Sequence, residues 1–532
     1  MIERAIENWL INTNEENYQL PFCHLLLNKG YQIIYISKHG PFERGKDIIA
    51  VNTEGENCAY QLKTRNIDTD DWREIKGEID ELVELIPRIP NFPGNTLHKC
   101  YIVTNGDVAD PVKDQIDSRN RDNIEKKRKY PKLDIIDLNI LLNDFIAAQK
   151  HFLPEKISDF RSFLNMLTAD GKDMLDKDNF AHFLNNTIFS NLNNSKQAVT
   201  NTIYSSVIIT SYLLQPFQES KNYYALFEAW VILYASIIRY HVKNKAKLKK
   251  IKNCLNLILD EIIICLELLN NETINRKNLL EGKILADGDI IYKARTTMVL
   301  GALAILNLVK VQQKKEENSS IEFIQQVDKY FKHLCFWGES AFPYLFFIIK
   351  SLEVSERYDF SDKLLLDLFK SILEYNAYDS ESGIPNVYYS VDQILDEYFK
   401  FTFINRKNFT GSSYILESLI EMNVRRNNKD FIKKHWRSSS HISLKEFQPL
   451  KHEDYLLWRT TDGKNITKYL NTPEKWSDLY DRSYNIKTIS ELFKEIEDFL
   501  PFFILVFPHR ATTEIIRFLD CKYQNSNSRD KE

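Results

Sequence analysis

A chain of 532 residues, 43% hydrophobic and 12% aromatic, has the apolar material for several cores, which excludes wholesale disorder. Its 70 basic and 74 acidic side chains leave a formal charge of −4, so neither sign dominates. Only 15 glycines occur, against a usual share of roughly 7%, which excludes turn-dense all-β folds and glycine-rich nucleotide loops as the main theme. Seven of the fifteen fall within residues 1–150, so strands and tight turns are expected there and helices beyond.

In chain order, Ile2, Ile6, Trp9 and Leu10 stand at helical spacing. After a polar stretch at 12–17, Tyr18, Phe22, Leu25 and Leu26 mark a second helix that Gly30 stops. Three β-rich runs follow, YQIIYIS from Tyr31, GKDIIAV at 45–51 and CAYQLK at 58–63, the last two joined by a turn containing Gly55. Trp72, Ile75, Ile79, Leu82 and Ile86 step by three and four, which predicts an amphipathic helix ended by Pro87 and Pro90. The run at 100–106 reads as a buried strand, 110–129 as a polar helix, and LDIIDL at 133–138 as a last strand before a helix. The order predicts an α/β domain around a mixed sheet ending near residue 150. From 155 to 522 repeated amphipathic helices predict a large all-α array serving recognition, sensing or oligomerisation, with a subdivision near 430–450. No fixed repeat period emerges there. Residues 523–532 read as a disordered tail.

Seven scattered cysteines without any C-x-x-C pair predict a reduced, cytoplasmic protein lacking disulfides and zinc ribbons. The first residues, MIERAIENWL, lack the apolar core of a signal peptide. The apolar run at 296–309 is shorter than the about 20 residues of a membrane span, so no membrane is expected.

The chemistry concentrates in residues 45–63. Asp47 opens one strand of a hairpin, and Gln61 and Lys63, two apart, project from one face of the other. One carboxylate, one amide oxygen and one ammonium are therefore expected to converge at a sheet edge. Phosphodiester hydrolysis calls for such groups: Asp47 and Gln61 as Mg²⁺ ligands, and Lys63 to orient water or offset developing charge.

At these residues the chain resembles the PD-(D/E)xK nuclease superfamily, and within it the Mrr-like restriction endonucleases. That family shows a helix, a Gly-aromatic step, a G-x-D-I-I-A strand and a Q-x-K strand. They appear here as Gly30-Tyr31, Gly45-Lys46-Asp47-Ile48-Ile49-Ala50 and Gln61-Leu62-Lys63. The strand ending Val103-Thr104-Asn105-Gly106 and LDIIDL followed by a helix also fit. The likeness covers residues 1–150 only. It implies a restriction-endonuclease-like fold and a Mg²⁺- or Mn²⁺-dependent endonuclease acting on double-stranded DNA, in a bacterial restriction or anti-phage system. A homo-oligomer or a partner subunit would be needed for cutting both strands. The family places an acid about eleven residues before the Gly-Tyr step, where this chain has Gln19, and Gln61 replaces a second acid. Glu16, with Glu15 beside it, is expected to complete the metal site from the start of the second helix.

Arg65 and the basic stretch including Arg119, Arg121, Lys126 and Lys127 are candidates for phosphate contacts; a solvated helix face is the alternative for the stretch. Basic runs at 243–252 and 425–437 read as helix ends. The competing function is a catalytically inactive nuclease fold that binds nucleic acid or protein.

Overall fold

Asn14 accepts a hydrogen bond from Asn17 N at 2.9 Å, and this cap starts a helix one turn earlier than the apolar spacing indicates. The computed structural model describes residues 2–525 apart from 38–44, 87–97, 149–162, 164, 191–194, 246–247, 277–288, 314–316, 378–379, 381, 461 and 487–488. Helices α1 (Ile2–Asn12) and α2 (Glu15–Asn28) precede strands β1 (Gln32–Ile36), β2 (Ile48–Val51) and β3 (Asn57–Lys63). Then come α3 (Thr69–Glu84), β4 (Lys99–Thr104), α4 (Asp110–Glu125), β5 (Leu133–Ile136) and α5 (Leu138–Ala148). This is the predicted order.

The five strands form one mixed sheet in the order β1-β2-β3-β4-β5. The first three pair antiparallel, and β3, β4 and β5 pair in parallel through α3 and α4. Antiparallel neighbours need only short turns, and Asn52 closes the one between β2 and β3 by accepting from Glu54 N at 3.0 Å and Glu56 N at 2.8 Å. Parallel neighbours need a crossover, and Asp68 caps its helix by accepting from Asp70 N and Asp71 N.

Alternation along β2 and β3 divides the core into two layers. Ile48, Ala50, Tyr60 and Leu62 pack with Trp9, Tyr18, Phe22 and Phe145 of α1, α2 and α5. Ile49 and Ala59 face the other way, onto Trp72, Ile79 and Leu82 of α3 and Val112 of α4. Full burial of each large apolar side chain contributes about 1.5–3 kcal/mol.

Two compact units divide the chain, Met1–Glu261 and Ile262–Glu532. The sheet domain therefore does not close at residue 150. Tyr212, from helix Lys196–Leu213, packs on Trp9 with ring centroids 4.5 Å apart and planes tilted by 56°, and Ser205 Oγ donates to Ala148 O at 2.6 Å. The expected boundary at 150–155 lies outside the described residues.

The second unit is mainly helical but not wholly so. A three-stranded sheet joins β6 (Ser412–Ser413), β7 (Ser443–Pro449) and β8 (Gly463–Lys468). It spans the proposed subdivision at 430–450, because β7 pairs with both β6 and β8 inside one unit. The last helix, Thr513–Asn525, includes residues 523–525 of the expected tail; residues 526–532 lie outside the described residues. Two described helices, Tyr223–Lys243 and Ile290–Gln312, are long and apolar enough to cross a membrane, and 89% and 78% of their most apolar windows are buried within the protein. That is the packing of core helices. The second of them runs well past the apolar stretch at 296–309.

Candidate active site

The candidate residues meet where β2 begins and β3 ends. Ile48 pairs with Tyr60, so the next position places Asp47 opposite Gln61. Asp47 N donates to Tyr60 O at 2.9 Å, which extends the ladder one step. The Asp47 carboxylate turns back onto β3, and its Oδ2 accepts Leu62 N–H at 2.6 Å. Lys63 lies two residues beyond Gln61 on the same face. The structure thus brings Asp47, Gln61 and Lys63 together. They sit at the open end of a hairpin inside the sheet, not at its lateral edge, since β1 and β4 flank the pair.

The approach to Asp47 requires Gly45. Its φ is +67°, and a Cβ there would overlap the backbone oxygen of Glu78 in α3. Lys46 is fully buried, and its Nζ donates to Glu81 O at 2.9 Å near the C-terminus of α3, where the helix dipole favours a cation. The G-K-D segment is thereby fixed against α3.

Gln61 is 5% exposed, and its Oε1 is buried with no hydrogen-bond partner. A bare amide oxygen in that position is unfavourable by about 1–3 kcal/mol unless something engages it. Lys63 is paired: its Nζ lies 2.6 Å from Glu78 Oε2 and 3.9 Å from Glu15 Oε1.

Of the two acids that open α2, Glu15 is the one within ion-pair distance of Lys63. Successive helical residues are about 100° apart, and Glu16 is exposed and faces a different neighbour. The half-buried Glu261 of helix Lys252–Asn275 is pushed up to about 7 by burial, and the nearby Asp260 and Glu16 charges add to this. Glu15 lies four residues before Gln19, the family's acid position, on the same helix face. Tyr18, one turn from Glu15, forms the floor of the site. Its hydroxyl donates to Lys63 O at 2.7 Å and accepts Lys63 N–H at 3.1 Å. Burial, reinforced by Glu15 and Asp47, holds that hydroxyl well above the ordinary tyrosine value, so it stays protonated.

Residues 104–106 clamp the end of β3. Thr104 Oγ1 donates to Arg65 O at 2.6 Å, Asn105 Oδ1 accepts Arg65 N–H at 2.7 Å, and a Cβ on Gly106 would overlap the Arg65 backbone. Asn105 Nδ2 also donates to Leu10 O and Thr13 O, tying α1 to the same point. Sequence reasoning missed Tyr18, Glu78 and Asn105 as parts of the site. Asn105 stood in the Val-Thr-Asn-Gly ending; Tyr18 and Glu78 carried no local signal.

Arg65 is exposed, in a left-handed turn (φ 69°) two residues past Lys63. The other basic candidates are not at the site. Arg119 forms ion pairs with Asp80 and Glu84 of α3. Lys126 pairs with Asp122 at 2.7 Å. Helix α4 runs back from the end of β4 that adjoins the site, so Arg121, Lys126 and Lys127 lie toward the opposite end of the sheet, about 20 Å along a helix rising 1.5 Å per residue.

Asp47, Gln61 and Glu15 offer oxygen ligands that suit a hard divalent cation, and the unpartnered Gln61 oxygen fits that role. No group of three or more His, Cys, Asp or Glu side chains suited to a metal occurs among the described residues. Comparison with family models, curated proteins and solved structures finds no match to this chain.

Proposed function

We propose that the first unit carries a PD-(D/E)xK nuclease site of the Mrr-like kind, hydrolysing phosphodiester bonds in double-stranded DNA. The observation that carries this reading is the pairing of Asp47 with Gln61 across β2 and β3, with the buried Gln61 Oε1 unengaged and Lys63 two residues on. Asp47, Gln61 and Glu15 are the residues that would hold Mg²⁺ or Mn²⁺. A bound cation supplies Lewis acidity at the phosphoryl oxygen and a more acidic water. Lys63, released from Glu78, orients the water and offsets charge developing on phosphorus. Tyr18 fixes the Lys63 backbone on both its N–H and C=O sides. Arg65, exposed beside the site, contacts the phosphate backbone. One site cuts one strand, so double-strand cleavage requires a second copy or a partner subunit. Described cysteines without disulfides are in keeping with a cytoplasmic protein. The resemblance points to a restriction or anti-phage role, with the helical region as recognition or sensing element.

A specific observation favours a second reading, an inactive nuclease fold that binds nucleic acid or protein: Lys63 is held by Glu78, and the acids at the site are few. Incubation of the purified chain with supercoiled plasmid and Mg²⁺ or Mn²⁺ separates the two. Nicking or linearisation by wild type and none by Lys63→Ala is the result expected of a nuclease. An intact plasmid across all metal concentrations, with no divalent binding by calorimetry, would overturn it.

A further inference from the structure

Two phenylalanines of the second unit stand in the open: Phe401 is 79% exposed and Phe403 87%. Lone exposed apolar side chains are ordinary, but two large rings this bare in one short loop are not. The loop is held at both ends. Helix Val391–Tyr398 ends where Lys400 takes a left-handed turn (φ 62°), and Phe401 N donates back to Asp396 O at 2.7 Å. Past the rings, Ile404 is buried, and Arg406 forks onto Glu397, with Nη2 2.5 Å from Oε2. A tied loop therefore presents both rings to the outside.

The same unit holds a groove of about 890 Å³, within the size range of ligand pockets. Helix Tyr358–Tyr375 lines it with Lys370, Leu373 and Glu374, helix Lys429–Ser440 lines it with His435 and Ser438, and the exposed His441 borders it. Its charges do not favour an anion. Lys370 and Glu374 offset each other, and burial, reinforced by the Lys434 and Lys370 charges, lowers the His435 pKa, so that ring is neutral at pH 7. The His435 ring packs on Phe431 with centroids 4.7 Å apart and on Phe369 at 6.3 Å. A neutral ring backed by two others makes a wall for a further aromatic side chain. Loop and groove also match in charge. Asp396 and Lys400 flank the exposed rings, Lys370 and Glu374 flank the groove, and none of the four has an ion-pair partner among the described residues. Such pairs add little affinity but fix orientation.

We propose that Phe401 and Phe403 of one copy seat in the groove of a second copy, and that the exchange is mutual, giving a two-fold dimer through the second unit. A two-fold contact is self-complementary, so each copy both gives the rings and receives them. Four rings at roughly 150–250 Å² each, with the groove surface they cover, bring the buried area to the roughly 1,200–2,000 Å² of stable interfaces. The contact stands whether or not the first unit cuts DNA. If it does, the dimer supplies the second site that double-strand cleavage requires.

Sedimentation velocity of the full chain at micromolar concentration tests this. Wild type should be a dimer that dissociates on dilution. Phe401→Ser combined with Phe403→Ser removes exposed rings, so the melting temperature should hold while dimerisation weakens by about 100-fold, as for central aromatic anchors. Ser438→Trp, at an exposed helix position, fills the groove and should do the same. Mixing the two variants should recover part of the association, because the mixed pair keeps one intact ring–groove contact. A monomeric wild type would overturn the proposal, as would a dimer indifferent to the serine pair. A dimer lost with the serines but kept by Ser438→Trp would mean ring-on-ring packing and would overturn the groove assignment. A monomeric wild type that needs Phe401 and Phe403 to bind anionic vesicles or a single-stranded oligonucleotide would give the loop to that partner instead.

Discussion

Asp47 plays two parts that different substitutions separate. Its Oδ2 satisfies Leu62 N–H, and its carboxylate charge serves the proposed chemistry. Asp47→Ala leaves a part-buried N–H unpaired and should lower stability by about 1–3 kcal/mol in denaturant unfolding. Asp47→Asn keeps an acceptor and should fall within about 1 kcal/mol of wild type, yet both should lose cleavage. Equal stability of the two variants would refute the structural part. Glu15 and Glu16 give the second test. Glu15 reaches Lys63, while Glu16 neighbours Glu261. Glu15→Gln should therefore raise the Mg²⁺ concentration for half-maximal cleavage by about tenfold, the scale seen when a group supporting a metal site is removed. Glu16→Gln should superimpose on wild type in the same titration. A shift with Glu16→Gln alone would restore the assignment suggested by the sequence.

Elements with one strong face were legible in the sequence, and those without one were not. The spacing of Trp72, Ile79 and Leu82 announces α3 because its other face is solvated. Strands β2 and β3 stand out because both faces are buried, which demands apolar runs. Strand β8 is mostly exposed and β7 only partly buried, so neither shows the alternation that a covered sheet imposes. The start of α2 was misjudged because apolar spacing begins at Tyr18, whereas the cap at Asn14 and the acids after it set the true first turn. In the second unit, Glu339 joins a short 3-10 turn to β6: Ser413 Oγ donates to it at 2.5 Å, and Tyr414 N at 3.1 Å. Burial pushes its carboxyl up to about 7. Between the ordinary value near 4.5 and 7, the native state holds a proton that the unfolded chain releases. Stability should therefore fall as pH rises through that window, by on the order of 3 kcal/mol, and level off above it. Glu339→Gln should reduce the slope by this share, leaving the part that Glu261, also pushed up to about 7, contributes in the same window. A slope the same in wild type and Glu339→Gln would show that the Glu339 carboxyl is ionised in the native state.

At the scale of the whole molecule, the core that covers the sheet continues past residue 150. Trp9, Tyr18 and Phe145 share one core with Ile208 and Tyr212, and those last two come from a helix that begins at Lys196. The compact unit accordingly continues to Glu261. A fragment of residues 1–150 would uncover the Trp9 ring where Tyr212 now packs, together with the apolar side of α2. Exposed apolar surface of that kind drives association and loosens packing. Residues 1–150 produced alone should therefore bind a hydrophobic dye, associate at micromolar concentration and unfold without a sharp transition. In the full chain, Tyr212→Ala should destabilise the first unit by about 3–5 kcal/mol, as for other large aromatic truncations in cores, and should lower cleavage only through loss of folded protein. A monomeric 1–150 fragment with a cooperative melt, or a Tyr212→Ala chain as stable as wild type, would place the boundary back at the end of α5.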